Sequence, residues 1–340
     1  MPDTPSRPVR AAVLHGAGYG GGELVRLLLA HPNVELAAVT SRTFAGQPLA
    51  VAHPPLLGQT DLLFSDDALN ASGFDVVFIA AEHGQGAKAV QRLDEAGYTG
   101  AIVDLSADFR FRDASVYPRH FRFDHPVPDR LADFAYGLSE IRPLPEGTRC
   151  VANPGCFATG LTLALWPLAQ HLSAFEAHVT AFTGASGSGA RPSPTTHYPT
   201  RDGNVRAYKV LGHQHQPEVE QTLGGGVRLH FVPVSGPWTR GIWGTAHVTL
   251  PGGVSLADVR GWYEAAYPAG TGAVRLWDTL PELRASVGTP FCDLGLAADG
   301  GHLVVGFALD NLLKGAASQA VQNLNAVFGW PTLRGLVPNR

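Results

Sequence analysis

The segment Gly16-Ala17-Gly18-Tyr19-Gly20-Gly21 follows directly on an apolar run, Val9 to Leu14. It leads straight into Glu23 to Ala30, where Leu24, Leu27 and Leu28 carry helical spacing. A G-x-G-x-x-G run between a strand and a helix admits few folds, because its glycines permit a tight turn and let backbone amides at a helix N-terminus approach a pyrophosphate. A second apolar run, Val34 to Thr40, follows the break at His31-Pro32-Asn33 and completes a strand–helix–strand unit. Phe74 to Ala80 predicts a third strand, Gly86 to Ala96 a helix, and Ala101 to Leu105 a fourth strand. This alternation predicts an α/β, Rossmann-type domain with a parallel, helix-covered sheet. The loop reads as dinucleotide-binding, with a merely tight structural turn as the alternative.

A length of 340 residues predicts two domains. The expected division is a dinucleotide-binding domain over 1–155, completed by a C-terminal helix over 313–340, and a second domain over 156–312. In the second, Ala158 to Leu172 predicts a helix that Pro167 kinks or breaks. Val179 to Thr183, Arg228 to Val234, Gly244 to Leu250 and His302 to Leu309 predict strands, and Leu256 to Ala266 a helix, which suits an α+β, mostly antiparallel arrangement. From Lys314 to Phe328 small and apolar residues share one helical face, fitted to pack back on the first domain. No apolar run approaches the roughly 18 residues of a membrane span. A net charge of −4 gives no basic footprint, so neither nucleic acid nor membrane is expected as a partner. The polar N-terminus lacks the apolar core of a secretory signal, and a cytoplasmic location is expected. Cys150, Cys156 and Cys292 are odd in number and lack metal spacing, so neither a disulfide framework nor a metal site is expected.

Several residues carry chemistry. Where a NAD-binding chain presents a carboxylate after its second strand, this one has Ser41 and Arg42, a pair suited to the 2′-phosphate of NADP(H); Arg42 is otherwise an ordinary surface charge. Asn153-Pro154-Gly155-Cys156 sets a thiol where a turn gives way to a helix, whose dipole favours the thiolate. The alternative for Cys156 is an inert core residue. His213 and His215 stand at i and i+2 before a helix start, with Glu218 three residues on and able to orient His215, a set for acid/base work beside a nucleophile. Metal binding and solvated surface histidines are the alternatives. Gly184 to Arg191 offers flexible backbone donors and hydroxyls for an anion, or is a mobile linker. Arg110, after the fourth strand, clamps an anion or pairs with Asp104 or Asp108.

Taken together, Gly18-Tyr19-Gly20-Gly21-Gly22-Glu23-Leu24, Asp104-Leu105-Ser106-Ala107-Asp108-Phe109-Arg110, Asn153-Pro154-Gly155-Cys156-Phe157, Gly212-His213-Gln214-His215-Gln216-Pro217-Glu218 and Asp310-Asn311-Leu312-Leu313-Lys314-Gly315 make the chain resemble the N-acetyl-gamma-glutamyl-phosphate reductase family, including its lysine-pathway branch. The resemblance spans nearly the whole chain. It implies a semialdehyde dehydrogenase-like fold with a dimerisation domain, and NADPH-dependent reduction of an ω-acyl phosphate to a semialdehyde. Cys156 would attack the acyl carbonyl to form a thioester, with His215 or His213 as acid/base. Gly18, Tyr19, Gly20, Gly21, Ser41, Arg42, Ser186, Gly187 and Asn311 would line the cofactor. Ser106, Arg110, Asn153 and Arg191 would meet substrate or phosphate. A homo-oligomer, dimer or tetramer, is implied. The loop departs from the family pattern, in which a Ser and a Thr contribute side chains that Ala17 and Gly20 lack, and Glu82 stands where the family has a proline. Residues 193–209 resemble the lysine-pathway branch, whose aminoadipyl phosphate rides on a small acidic amino-group carrier protein, and Arg191, Arg201, Arg206 and Lys209 suit such a carrier. Asn153 to Phe157 resembles the arginine-pathway form, so acetylglutamyl phosphate, or both substrates, remains the alternative.

Overall fold

The computed structural model describes residues 7–66 and 70–338. Residues 1–6, 67–69 and 339–340, placed by the sequence in the first domain and its C-terminal helix, lie outside them. The chain divides into one unit of Met1–Ser139, Pro143–Pro154 and Ala316–Arg340, and a second of Glu140–Arg142 and Gly155–Gly315. The helices in chain order are α1 (Tyr19–Leu29), α2 (Gly86–Glu95), α3 (Val116–His120), α4 (Cys156–His171) and α5 (Tyr198–Arg201). They continue with α6 (His215–Leu223), α7 (Leu256–Ala266), α8 (Leu283–Ser286) and α9 (Ser318–Val327). None among the described residues is long and apolar enough to cross a membrane.

The first unit is built on strands β1 (Val9–Leu14), β2 (Val34–Thr40), β3 (Phe64–Ser65), β4 (Val76–Ile79), β5 (Ala101–Asp104), β6 (Phe134–Tyr136) and β7 (Cys150–Ala152). They form one sheet in the order β3-β2-β1-β4-β5-β7-β6, and every pairing is parallel. A parallel sheet is covered on both faces, which is why β4 and β5 are buried at every position rather than at alternate ones. The strand order turns around at β1, whose neighbours are β2 and β4, so the C-terminal end of β1 is the topological switch point where open α/β sheets bind ligands. Helix α9 packs against α1 and β5. Its buried amides are tied down: Gln319 Nε2 donates to the Gly137 carbonyl at 3.0 Å and Asn325 Nδ2 to those of Thr332 and Arg334.

The second unit holds β8 (Phe175–Thr183), β9 (Arg206–Ala207), β10 (Val227–Ser235), β11 (Ile242–Thr249), β12 (Val274–Trp277), β13 (Cys292–Asp299) and β14 (His302–Leu309), in the order β12-β13-β14-β11-β8-β10-β9. The sheet is mixed: β8 pairs with β10 and β12 with β13 in parallel, and the remaining four pairings are antiparallel. One face is covered by α4, α6 and α7. The sequence pattern overlooks β13 because Asp293 and Gly295 interrupt its apolar run. Asp293 is buried by pairing with Arg275, whose Nε lies at 2.5 Å, and by accepting from Ser286 Oγ; at Gly295 the Thr279 carbonyl occupies the place of a side chain.

Helix α4 starts at Cys156, two residues earlier than the spacing suggests, and continues through Pro167. A proline there has no amide for the carbonyl of Leu163, four residues back. That carbonyl accepts instead from the Tyr267 hydroxyl at 2.8 Å, and the next one, of Ala164, accepts from Tyr263. Tyr267, the residue that caps α7, thus replaces the donor that the proline removes, and the helix does not break.

Candidate active site

In the first unit the nucleotide loop is anchored from β2. Thr40 takes the amides of His15 on its hydroxyl (3.0 Å) and of Gly16 on its carbonyl (2.9 Å), and His15 adopts the left-handed conformation with φ 57° to make the turn. The glycines divide by function. A side chain at Gly16 would collide with Val39, and one at Gly21 would lie 2.5 Å from the Gly16 carbonyl oxygen, so Gly16 lets the loop close on β2 and Gly21 lets α1 pack on the loop. Gly22 makes room for His53, whose Nε2 donates to the Gly16 carbonyl at 2.8 Å. Gly18 and Gly20 face open space, with nothing within 4 Å of an added Cβ. Gly18 caps α1 without a side-chain bond, and Tyr19, Gly20 and Gly21 carry first-turn amides that have no acceptor within the helix. This cradle fits a pyrophosphate. At the end of β2, Ser41 is buried and its Oγ accepts the Phe44 amide at 3.4 Å, which leaves its proton to give; Arg42 next to it is exposed.

At the C-terminal edge of β5 and β7, also in the first unit, the residues expected to meet an anion are buried and bonded to their own chain. Ser106 gives its hydroxyl proton to Asp104 at 2.8 Å and accepts the Asp108 amide at 3.1 Å. Asp108 in turn takes the amides of Gly84 (2.8 Å) and Ala87 (2.9 Å), so its carboxylate caps the start of α2. Arg110, expected to clamp an anion or to pair with an aspartate, sends Nε to the Asn153 carbonyl (2.8 Å) and Nη2 to that of Leu105 (3.1 Å). The Asn153 side chain donates to the Ala316 carbonyl and accepts from Asn323. Burial, and then the charge of Asp108, push the Asp104 carboxyl up to about 7. Glu82, unexplained by the family pattern, is exposed.

In the second unit Cys156 is the first residue of α4, behind the N-cap Gly155. The Gly155 amide donates to Glu218 Oε1 at 2.8 Å, so the carboxylate expected to orient His215 braces the turn before the cysteine. His213 and His215 are both buried, which removes the reading of solvated surface histidines. Their rings lie 4.7 Å apart, and both meet Phe157, the neighbour of Cys156, edge-on at 5.5 and 6.2 Å. His213 Nδ1 accepts the backbone amide of His215 at 3.1 Å, so in the neutral ring the proton sits on Nε2. Tyr208 stacks edge-on with His213 at 5.7 Å; burial, and then the charge of Cys156, hold its phenol well above the usual range. Behind the thiol, the Gly315 amide closes an i→i−5 bond onto the Asp310 carbonyl (2.9 Å), and a side chain at Gly315 would lie 2.8 Å from Cys156 Cβ. The other two cysteines are free; burial holds both thiols above the usual range.

The Gly184–Arg191 loop departs from the expectation of free backbone donors. The amides of Ala185, Ser186, Gly187 and Gly189 bond to the carbonyls of Trp238, Thr239, Gly184 and Ser186, so the segment is an ordered turn with these donors already used. Asn311 locks it from the second unit's own core, donating to Ser186 Oγ at 3.0 Å and accepting the Gly241 amide at 2.6 Å. Arg191 is exposed, with no hydrogen bond or ion pair among the described residues. Sequence reasoning did not single out Tyr208, His53 or Gly315 as site residues. Gly315 alone had a signal, its place at the end of the Asp310–Gly315 motif.

Two family models match the chain, the semialdehyde dehydrogenase NAD binding domain over residues 10–145 and the semialdehyde dehydrogenase dimerisation domain over residues 156–311. A Deinococcus radiodurans [LysW]-L-2-aminoadipate 6-phosphate reductase is 38% identical over 96% of this chain and 95% of its own. A Methanosarcina mazei N-acetyl-gamma-glutamyl-phosphate reductase is 40% identical over 96% of this chain and 97% of its own. Among solved structures, aspartate semialdehyde dehydrogenase II from Vibrio cholerae has the same fold, with TM-score 0.73 at 16% identity over 95% of this chain and 99% of its own. So has aspartate semialdehyde dehydrogenase with NADP from Candida albicans, at TM-score 0.68 and 17% identity over 96% and 99%.

Proposed function

Because the chain belongs to the semialdehyde dehydrogenase family, we propose that it reduces an ω-acyl phosphate to the semialdehyde with release of phosphate, through a thioester on Cys156. The observation that carries this reading is the setting of the thiol. Cys156 opens a 16-residue helix, where the dipole favours a thiolate, and buried His213 and His215 pack on the adjoining Phe157. Cys156 Sγ attacks the acyl carbonyl carbon, the C–S bond forms, and the C–O bond to phosphate breaks. A thioester is a better hydride acceptor than a carboxylate. After hydride transfer, collapse of the tetrahedral adduct returns the thiolate and frees the aldehyde, and the proton transfers are assigned to His215 and to His213, whose Nε2 carries the proton in the neutral ring.

NADPH is the proposed cofactor, and when bound it supplies the hydride. Gly18, Tyr19, Gly20 and Gly21 hold its pyrophosphate, and Ser41 with Arg42 its 2′-phosphate. Ser186, Gly187 and Asn311 act through the shape of the ordered turn they build, and Asn153, Ser106 and Arg110 through the network beneath the β5 and β7 edge.

For the substrate, a 2-aminoadipyl phosphate carried by an acidic amino-group carrier protein is favoured by residues 191–211. This stretch exposes Arg191, Arg206 and Lys209 beside Tyr198, Val205, Val210 and Leu211, on a chain whose net charge is −4. Cationic side chains among exposed apolar ones suit an acidic protein surface. The Methanosarcina relative supports acetylglutamyl phosphate as the second reading. The assembly is a homo-oligomer, dimer or tetramer, in keeping with the dimerisation domain matched over 156–311. The test is the reverse reaction, with phosphate and NADP⁺, on carrier-bound aminoadipate semialdehyde and on N-acetylglutamate semialdehyde. Turnover on the first, slowed by Arg206→Glu, is expected; turnover on the second alone selects the other substrate, and turnover on neither overturns the reaction.

A further inference from the structure

On β8 and β10, the face of the second unit's sheet opposite α4 and α6 holds a side-chain cluster with no part in the chemistry above. Glu176 and His178 lie two residues apart on β8 and therefore on the same face, and His230 on β10 is the direct partner of His178 in the parallel register. The two imidazoles stack at 4.6 Å with 11° between their planes, and His230 Nε2 meets Glu176 Oε2 at 3.2 Å. One ligand atom from each of the three lies within 4.8 Å of the other two. His247 on β11 faces His178 from the opposite side, but its ring nitrogens are engaged with His302 Nε2 at 3.2 Å and Thr245 Oγ1 at 3.3 Å.

We propose that Glu176, His178 and His230 form a surface site for a divalent transition-metal ion of the zinc type. Two neutral imidazoles and one carboxylate are the donor set of a three-ligand zinc site whose remaining position is open to water. Metal–ligand bonds of about 2.0–2.2 Å require donor atoms roughly 3.3–3.5 Å apart. Glu176 and His178 are exposed and His230 half-buried, so the two rings can turn out of their stack to bring their lone pairs onto one ion, while the paired strands hold the backbone in register. An ion pair alone would use Glu176 and one ring; the second ring, stacked beside the first and within reach of the same carboxylate, completes a chelate. Ligation requires deprotonated imidazoles, so protons compete with the metal.

The experiment is equilibrium dialysis of the purified full chain against Zn²⁺ near pH 7.5, with Co²⁺ as a visible-absorption probe. The parent, the His178→Ala/His230→Ala double variant and Cys156→Ser are compared. The parent is expected to bind one equivalent per chain at this site, and Cys156→Ser keeps it, which separates it from any metal held by the reactive thiol. The double variant loses it, with affinity at least about tenfold weaker. It retains both reductase turnover and its melting temperature in chelator. No bound equivalent in the parent, or an equivalent kept by the double variant or lost in Cys156→Ser, overturns the proposal.

Discussion

Replacing Tyr267 by Phe removes one hydroxyl and nothing else, yet it leaves the Leu163 carbonyl inside α4 without a donor. Pro167 supplies no amide, and Leu163 and Tyr267 are both buried, so water does not take over. An orphaned buried carbonyl costs about 1–3 kcal/mol. At a middle value of about 2 kcal/mol, and about 2–4 °C per kcal/mol for a unit of this size, the second unit melts roughly 4–8 °C lower. The explanation is specific to the proline, which makes it testable by a double-mutant cycle. Pro167→Ala restores an amide at position 167 that reaches the same carbonyl, and in that background Tyr267→Phe costs only about 0.5 kcal/mol, the low end for a redundant hydrogen bond. Urea unfolding of the four proteins, followed by circular dichroism, measures the coupling. Equal destabilisation in both backgrounds would refute the idea that the tyrosine compensates for the proline.

Three further outcomes follow from the first unit. Gly20 faces open space within α1, so Gly20→Ala raises stability by about 0.5–1 kcal/mol and preserves NADP⁺ binding, whereas Gly21→Ala drives a methyl onto the Gly16 carbonyl and lowers both; thermal melts with and without NADP⁺ distinguish them. Arg42→Ala lowers the preference for NADP⁺ over NAD⁺ roughly tenfold, the loss of about 1.4 kcal/mol from one charge-assisted contact, and an unchanged ratio of dissociation constants would return Arg42 to the status of a surface charge. Asp104, its carboxyl pushed up to about 7 by burial and by Asp108, favours the protonated form in the folded protein. Its contribution to stability is therefore full below about pH 4 and lost as pH rises through about 7. Asp104→Asn makes urea-unfolding stability flatter across that window than in the parent, and an identical pH dependence would contradict the assignment.

The nucleotide loop was legible because its signal is local: strand, glycines and helix are contiguous in the chain, and Thr40 ends the next strand. Cys156 was legible for the same reason, as a residue at a turn-to-helix junction. What escaped is long-range or short-lived in sequence. Strands β6 and β7 span three residues each, too few for any period to register. Asp293 and Gly295 look like breakers until Arg275 and the Thr279 carbonyl are in place beside them. The Gly184–Gly189 turn reads as a supply of free amides because the carbonyls of Trp238 and Thr239 that take them lie some fifty residues onward. Glu218 reads as a partner for its helix neighbour His215, and the amide that it accepts, of Gly155, is 63 residues away. Composition and spacing identify which groups carry chemistry; the partners that fix them are set by the fold.

The central claim is a covalent acyl enzyme on Cys156, and it is tested most directly by mixing the protein with its acyl phosphate in the absence of NADPH. The account predicts a burst of one phosphate per chain, an acyl adduct on Cys156 found by mass spectrometry, and neither in Cys156→Ser. Phosphate-dependent turnover that survives in Cys156→Ser, or an adduct on another residue, would contradict it.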